Sequence, residues 1–169
     1  MNLARTIRFD ASDLNIFPVA AEEGEWAVTG SFTFQHLRED QIKGKVRQAF
    51  ANGFLGVESF GYSTFVAVAS ASPEAQAALR DQLIRRFVED MGAPSEEAAG
   101  HAADEEIGFM IDLCSGHKPG TLLVVQRELA EDGIRESFRH MPKPDSCAEQ
   151  SIWTIVEDDQ DTTESKDIS

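Results

Sequence analysis

The stretch NGFLGVESFGYSTFVAVASAS, residues 52–72, decides how the rest of the chain can fold. It opens with Asn52-Gly53, a common helix stop, and Gly56 and Gly61 then bracket a segment whose backbone needs close approach or a positive φ. Residues 62–69 are aromatic, β-branched or small, and none is charged. Such a run is typical of a strand that is covered on both faces. We therefore expect residues 62–69 to lie near the centre of a sheet.

Length, composition and charge predict one cytoplasmic domain. The chain has 169 residues, of which 41% are hydrophobic and 27% charged, and this is ordinary for a protein with a single core. Its formal net charge of -15 repels phosphate backbones and anionic lipids, so we expect no nucleic acid and no membrane as a partner. No segment has the pattern of a signal peptide, and no run approaches the ~20 apolar residues of a membrane helix.

Periodicity along the chain predicts an α+β fold. Alternating polar and apolar residues predict strands at residues 4–9, 16–19, 26–34, 121–128 and 134–141. Apolar residues at helical spacing predict helices at residues 38–51, 73–91 and 95–114. Ser72 and Pro73 mark the start of the second helix, and Gly100 is a candidate break in the third. We expect an antiparallel or mixed sheet of five to six strands, with two to three helices packed largely on one face.

The C-terminal part of the chain changes composition after this domain. We expect a single α+β domain at residues 1–141, a linker at 142–156 and a disordered acidic tail at 157–169. The linker contains the apolar residues Ile152, Trp153 and Ile155. Because these side chains must be hidden from water, we expect them to pack on the protein's own sheet edge or to bind a partner.

The sequence contains no recognisable catalytic or metal-binding constellation. His101, Asp104 and Glu105 share a helical face, but no second motif supplies the other ligands that a metal site needs. Cys114 and His117 are half of a zinc site at best, and Cys114 continues the apolar face of its helix. Catalytic residues are therefore unknown, and we expect no metal and no cofactor.

A longer motif is flanked by four shorter segments. These are LARTIRFDASD and EGEWAVTGSF before it, and PGTLLVVQRE and DGIRESFR after it. This motif, R-x-x-F-x-x-G-F-L-G-x-x-S-x-G-x-S-T, occupies residues 47–64. With this combination the chain resembles, over most of residues 3–139, a family of small bacterial proteins known only as a domain of unknown function. Some members are encoded near lipoate- or biotin-ligase-like proteins and accessory proteins of formate-dehydrogenase-type molybdoenzymes. The resemblance thus implies an accessory role, and it implies no catalytic residues.

These observations favour a non-enzymatic accessory or interaction protein that contacts another protein or a second copy of itself. The alternative is a small-molecule-binding domain or a small enzyme with a pocket near residues 53–63. Its polar lining would be Arg47, Ser59, Tyr62 and Ser63. The glycine spacing in this region matches neither the dinucleotide-binding nor the P-loop motif, so the ligand stays open.

Overall fold

Two antiparallel sheets and four helices make up the part of the chain that the computed structural model describes, residues 1–142 and 156–157. In chain order the elements are strand β1 (Asn2–Ile7), helix α1 (Ser12–Ile16), strand β2 (Ala27–Val28), helix α2 (Gly44–Asn52), strands β3 (Phe54–Gly56), β4 (Tyr62–Ser63) and β5 (Phe65–Ser70), helices α3 (Pro73–Glu89) and α4 (Glu96–Cys114), and strands β6 (Leu122–Ala130), β7 (Gly133–Met141) and β8 (Val156–Glu157).

The larger sheet has the strand order β1-β5-β6-β7-β8, and the smaller sheet has the order β2-β3-β4. β5 pairs with β1 along six residues and with β6 on its other side, so it is flanked on both edges as the sequence predicts. The α+β class is confirmed, with α4 packed near β1 and α2 against β6. The strands divide between two sheets, whereas the sequence predicted one.

The predicted strand at residues 62–69 joins both sheets because the chain bends at Thr64. There the Asp13 carboxylate accepts hydrogen bonds from the Thr64 backbone N–H at 3.3 Å and from its hydroxyl at 2.7 Å. The Ser63 hydroxyl donates to the Phe65 carbonyl at 2.8 Å. These side-chain bonds satisfy the Thr64 N–H and the Phe65 carbonyl at the bend, where the backbone leaves one sheet and enters the other.

The capped helices α3 and α4 begin where the sequence predicts. The hydroxyls of Ser72 and Ser95 each accept a hydrogen bond, at 3.0 Å, from the backbone N–H three residues later. The predicted break at Gly100 is wrong, since α4 continues through it. A Cβ at Gly100 would lie 2.8 Å from Nη2 of Arg80 on α3. Glycine therefore permits close packing of the two helices, which Arg80 also joins by an ion pair to Asp104 at 2.7 Å.

The predicted strand at residues 26–34 is mostly wrong, because only Ala27–Val28 pairs in a sheet. Gly30 has a φ of 88° and is followed by a 3-10 turn. The turn sends two aromatic residues in different directions: Phe32 packs on α3 and Phe34 on α2. Alternation in this segment reflects two separate packing sites and does not reflect the two faces of a strand.

Two other N-terminal predictions also differ from the structure. Residues 16–19 do not form a strand, because the helical turn of α1 extends to Ile16 and Phe17 then enters the core. The predicted helix at residues 38–51 begins later, at Gly44, after a separate 3-10 turn at Glu39–Gln41. Gly44 has a φ of 62°, a left-handed conformation that glycine adopts without strain.

The core consists of two hydrophobic clusters. The larger one is formed by both sheets with α3 and α4, and its large buried side chains include Leu3, Phe54, Leu55, Val66, Val68, Leu79, Leu83, Met110 and Leu123. The smaller one is formed by Phe17, Phe34, Ile42, Ala49 and Phe50. Tyr62 packs against both clusters, so the two meet at the start of the predicted central strand.

Candidate functional site

One arginine, Arg127, is buried on the inner face of β6. It follows Leu123 and Val125 at the period of two that places alternate residues of a strand on one face. Both of these residues are buried, and the Arg127 side chain is 0% exposed. A charged side chain in this position must be paired and hydrogen-bonded, because an isolated buried charge is strongly destabilising.

The guanidinium of Arg127 binds backbone carbonyls at the end of α2. Nη1 donates to the carbonyls of Phe50 and Gly53 at 2.9 Å each and lies 3.3 Å from that of Ala49. Nη2 donates to the carbonyl of Thr29, just after β2. The last carbonyls of a helix have no partner within the helix and carry its negative dipole charge. Arg127 therefore caps α2 and fastens it to β2 and β6.

Two carboxyls accompany this guanidinium. Nε of Arg127 donates to Oε2 of Glu136, its cross-strand neighbour on β7, at 2.8 Å. Glu106 projects from α4 into the same region, where burial, reinforced by the charges of Glu136 and Glu105, raises its pKa from 4.5 to about 7. Burial lowers the pKa of Arg127, and the bond to Glu136 opposes this shift. The site thus holds one ion pair and one carboxyl that protonates near neutrality.

The role of this cluster is structural, because almost all of the hydrogen-bond donors of Arg127 are already used within the protein. A guanidinium has five N–H donors, and Arg127 has five acceptors around it, so at most one N–H of Nη2 is unpaired. Sequence analysis missed this group. The sequence did contain one signal. Arg127 is charged, but it shares a strand face with the apolar residues Leu123 and Val125.

A half-open cavity of about 370 Å³ adjoins the Arg127 cluster. It lies where α2 and the preceding 3-10 turn meet the end of β6, and its lining residues are Glu39, Ile42, Arg47, Phe50, Ala51, Arg127, Glu128 and Leu129. Arg47 and Ala51 share a face of α2 at a spacing of four residues. Both apolar and charged residues therefore line the cavity.

The structure brings one of the four predicted ligand-binding residues to this cavity, Arg47. Ser59, Tyr62 and Ser63 do not line it, and their polar atoms bind the protein itself. The Ser59 hydroxyl accepts from the N–H of Gly61 at 3.0 Å, and the Tyr62 hydroxyl lies 2.9 Å from that of Thr33. Ser63 lies at the bend between β4 and β5.

Apolar side chains are exposed on the segment between β1 and β2. Phe9, Leu14 and Val19 are 53%, 55% and 51% exposed. Phe9 also contacts the ring of Phe65 edge-on at 5.2 Å, beside a cleft of about 80 Å³. Arg8 lines this cleft, and its buried Nε has no hydrogen-bond partner in the described part of the chain.

The predicted partner-binding residues, Ile152, Trp153 and Ile155, lie outside the described residues. Within residues 1–142, no three His, Cys, Asp or Glu side chains form a group that could hold a metal ion. Cys114 is buried, and burial raises the pKa of its thiol to about 12. None of the helices in the described ranges is both long and apolar enough to cross a membrane.

Comparison with known proteins gives one match. A family model described as a family of unknown function (DUF6505) matches residues 1–158. Neither the search of curated proteins nor the search of solved structures found a match. The matched range includes every element of both sheets, and the chain therefore belongs to the DUF6505 family of unknown function.

Proposed function

We propose that the protein is a non-enzymatic accessory protein of the cytoplasm that binds another protein through the exposed apolar segment at residues 9–19. The observation that carries this proposal is the exposure of Phe9, Leu14 and Val19, each more than half exposed, within eleven consecutive residues. Single exposed apolar residues are common on protein surfaces, whereas a local group of them is typical of interaction sites.

Burial of these three side chains is large enough to change the affinity for a partner measurably. Full burial of a large apolar side chain stabilises by roughly 1.5–3 kcal/mol, so burial of the exposed half of each of these three contributes about 1 kcal/mol. A sum of about 3 kcal/mol changes a dissociation constant by roughly a hundredfold.

The surrounding charge indicates the chemistry of the partner. Asp10 precedes α1, and Glu22 and Glu23 are exposed just after the apolar segment. These carboxylates lie close to the apolar segment in the sequence, in a chain whose net charge is -15. We therefore expect a partner surface with apolar side chains at its centre and lysine or arginine around them.

The test is native mass spectrometry of untagged protein purified from its own cells. We compare wild type with Leu14→Arg, which places a charge in the apolar segment, and with Val88→Arg as the matched control. Val88 is also an exposed apolar residue, 37% exposed, but lies on α3. Both substitutions are at exposed helical positions, so thermal unfolding should be nearly unchanged.

We expect wild type and Val88→Arg to retain one defined second polypeptide and Leu14→Arg to lose it. Retention by all three proteins would contradict the proposal. Loss in Trp153→Ala with retention in Leu14→Arg would also contradict it, because the contact would then depend on the C-terminal apolar residues. A homodimer mass that Leu14→Arg abolishes would place a second copy of the chain on the segment and would contradict the expected basic partner.

A further inference from the structure

We propose that the cavity between α2 and β6 binds a small zwitterion with an apolar body, of the chemical class of a free α-amino acid with an aliphatic or aromatic side chain. The cavity shares no lining residue with the apolar segment at residues 9–19. The site therefore goes beyond the accessory role, and either one can fail without the other.

The site has an apolar part because the end of β6 extends beyond the part of the protein that covers its inner face. Leu123, Val125 and Arg127 on its inner face are buried, but Leu129, the next residue on that face, is 43% exposed. Ile42 and Phe50, both nearly buried, provide the adjoining wall. With a volume of about 370 Å³, the cavity falls at the lower end of the range of ~300–1,000 Å³ that small-molecule sites occupy.

The charged part of the site has groups of both signs that the protein leaves without a partner. Arg127 is occupied by carbonyls and by Glu136. In contrast, the side chains of Arg47 and Glu39 make no hydrogen bond or ion pair within the described residues. Glu128 follows Arg127 and therefore points to the other face of β6, where it pairs with its cross-strand neighbour Arg135 at 4.0 Å. One guanidinium and one carboxylate are thus available to a ligand.

This combination favours a ligand that carries both charges. A carboxylate alone would gain Arg47 but would lie near Glu39, and an amine alone would gain Glu39 but would lie near Arg47. An α-amino acid offers an ammonium and a carboxylate on one carbon, and its side chain can cover Leu129. Hydrophobic contact then contributes affinity, and the pairing of both charges makes the site selective for a zwitterion.

Three probes of nearly the same shape test the proposal: L-phenylalanine, 3-phenylpropanoate, which lacks the ammonium, and 2-phenylethylamine, which lacks the carboxylate. Each is titrated into the full-length isotope-labelled protein, and backbone amide shifts in α2 and at the end of β6 are followed by NMR. We expect L-phenylalanine to bind in the millimolar range and to shift Ala51 and Leu129. The other two probes should bind about two- to fivefold more weakly, as expected for the loss of one exposed ion pair.

Variants separate the site from a general surface effect. Arg47→Met should reduce the affinity for L-phenylalanine to that for 2-phenylethylamine and leave the amine at least as well bound. Lys45→Met, which removes an exposed cation of α2 outside the cavity lining, is the matched control and should bind like wild type. Equal binding of all three probes, equal effects of the two variants, or shifts confined to other parts of the protein would overturn the proposal.

Discussion

Replacement of Glu106 by glutamine should stabilise the protein above neutral pH and have little effect in acid. Burial and the charges of Glu136 and Glu105 raise the pKa of the Glu106 carboxyl from 4.5 to about 7. Between these two values the folded state binds a proton at this site that the unfolded state does not bind. The contribution of Glu106 to stability is therefore greatest below pH 4.5 and is lost as the pH rises to about 7. At 1.36 kcal/mol per pKa unit, the loss is at most about 3 kcal/mol.

Urea unfolding at several pH values from about 4 to 8.5 measures this loss. Because other carboxylates also titrate, the informative quantity is the difference between the variant and wild type at each pH. For Glu106→Gln this difference in unfolding free energy should rise from near zero to at most about 3 kcal/mol in favour of the variant. Glu131→Gln, in the exposed turn between β6 and β7, removes the same charge and should stay within about 0.5 kcal/mol throughout. A difference for Glu106→Gln that is constant with pH, or that decreases as the pH rises, would refute the reasoning.

Three further predictions concern stability and reactivity. Arg127→Met should lower the unfolding free energy by about 3–5 kcal/mol in urea titrations, because it leaves buried carbonyls of α2 without a donor and the partly buried carboxylate of Glu136 without its cation; a loss under about 1 kcal/mol would contradict this. Gly30→Ala should cost about 1–3 kcal/mol in the same assay, since φ is 88° and the new Cβ would lie 2.8 Å from Cβ of Leu55. In a Cys147→Ser background, alkylation of Cys114 at mildly alkaline pH should proceed only as fast as the protein opens, because its thiol is buried and has a pKa of about 12; rapid alkylation without denaturant would contradict the burial.

Local signals predicted the helices that begin with a cap. Ser72, Pro73 and Ser95 mark the starts of α3 and α4 in the sequence, and the structure confirms both starts. The wrong prediction at Gly100 has a tertiary cause. Glycine weakens an isolated helix, but here the missing side chain makes room for Arg80 of the neighbouring helix, and no pattern within the segment reports that neighbour.

The alternation of polar and apolar residues wrongly predicted a strand where two aromatic residues pack at separate places. Phe32 and Phe34 are two residues apart, as on one face of a strand, yet they pack on different helices after the turn at Gly30. The positions of α2 and α3 decide where each of the two rings packs. Arg47 was predicted to line a pocket near residues 53–63, but the cavity that it lines contains no residue of that segment, and part of its lining comes from β6, about 80 residues later in the sequence.

The position of β6 has a consequence for the order in which the protein can fold. The carbonyls that Arg127 binds lie 74 to 98 residues before it in the chain, and β6 is the strand that joins β5 to β7. During synthesis at about 5–20 residues per second, the ribosome completes β6 roughly 4–20 s after those carbonyls have been made. For that interval the nascent chain has the end of α2 uncapped and β5 with one open edge, so the N-terminal two thirds must stay soluble before the larger sheet can close.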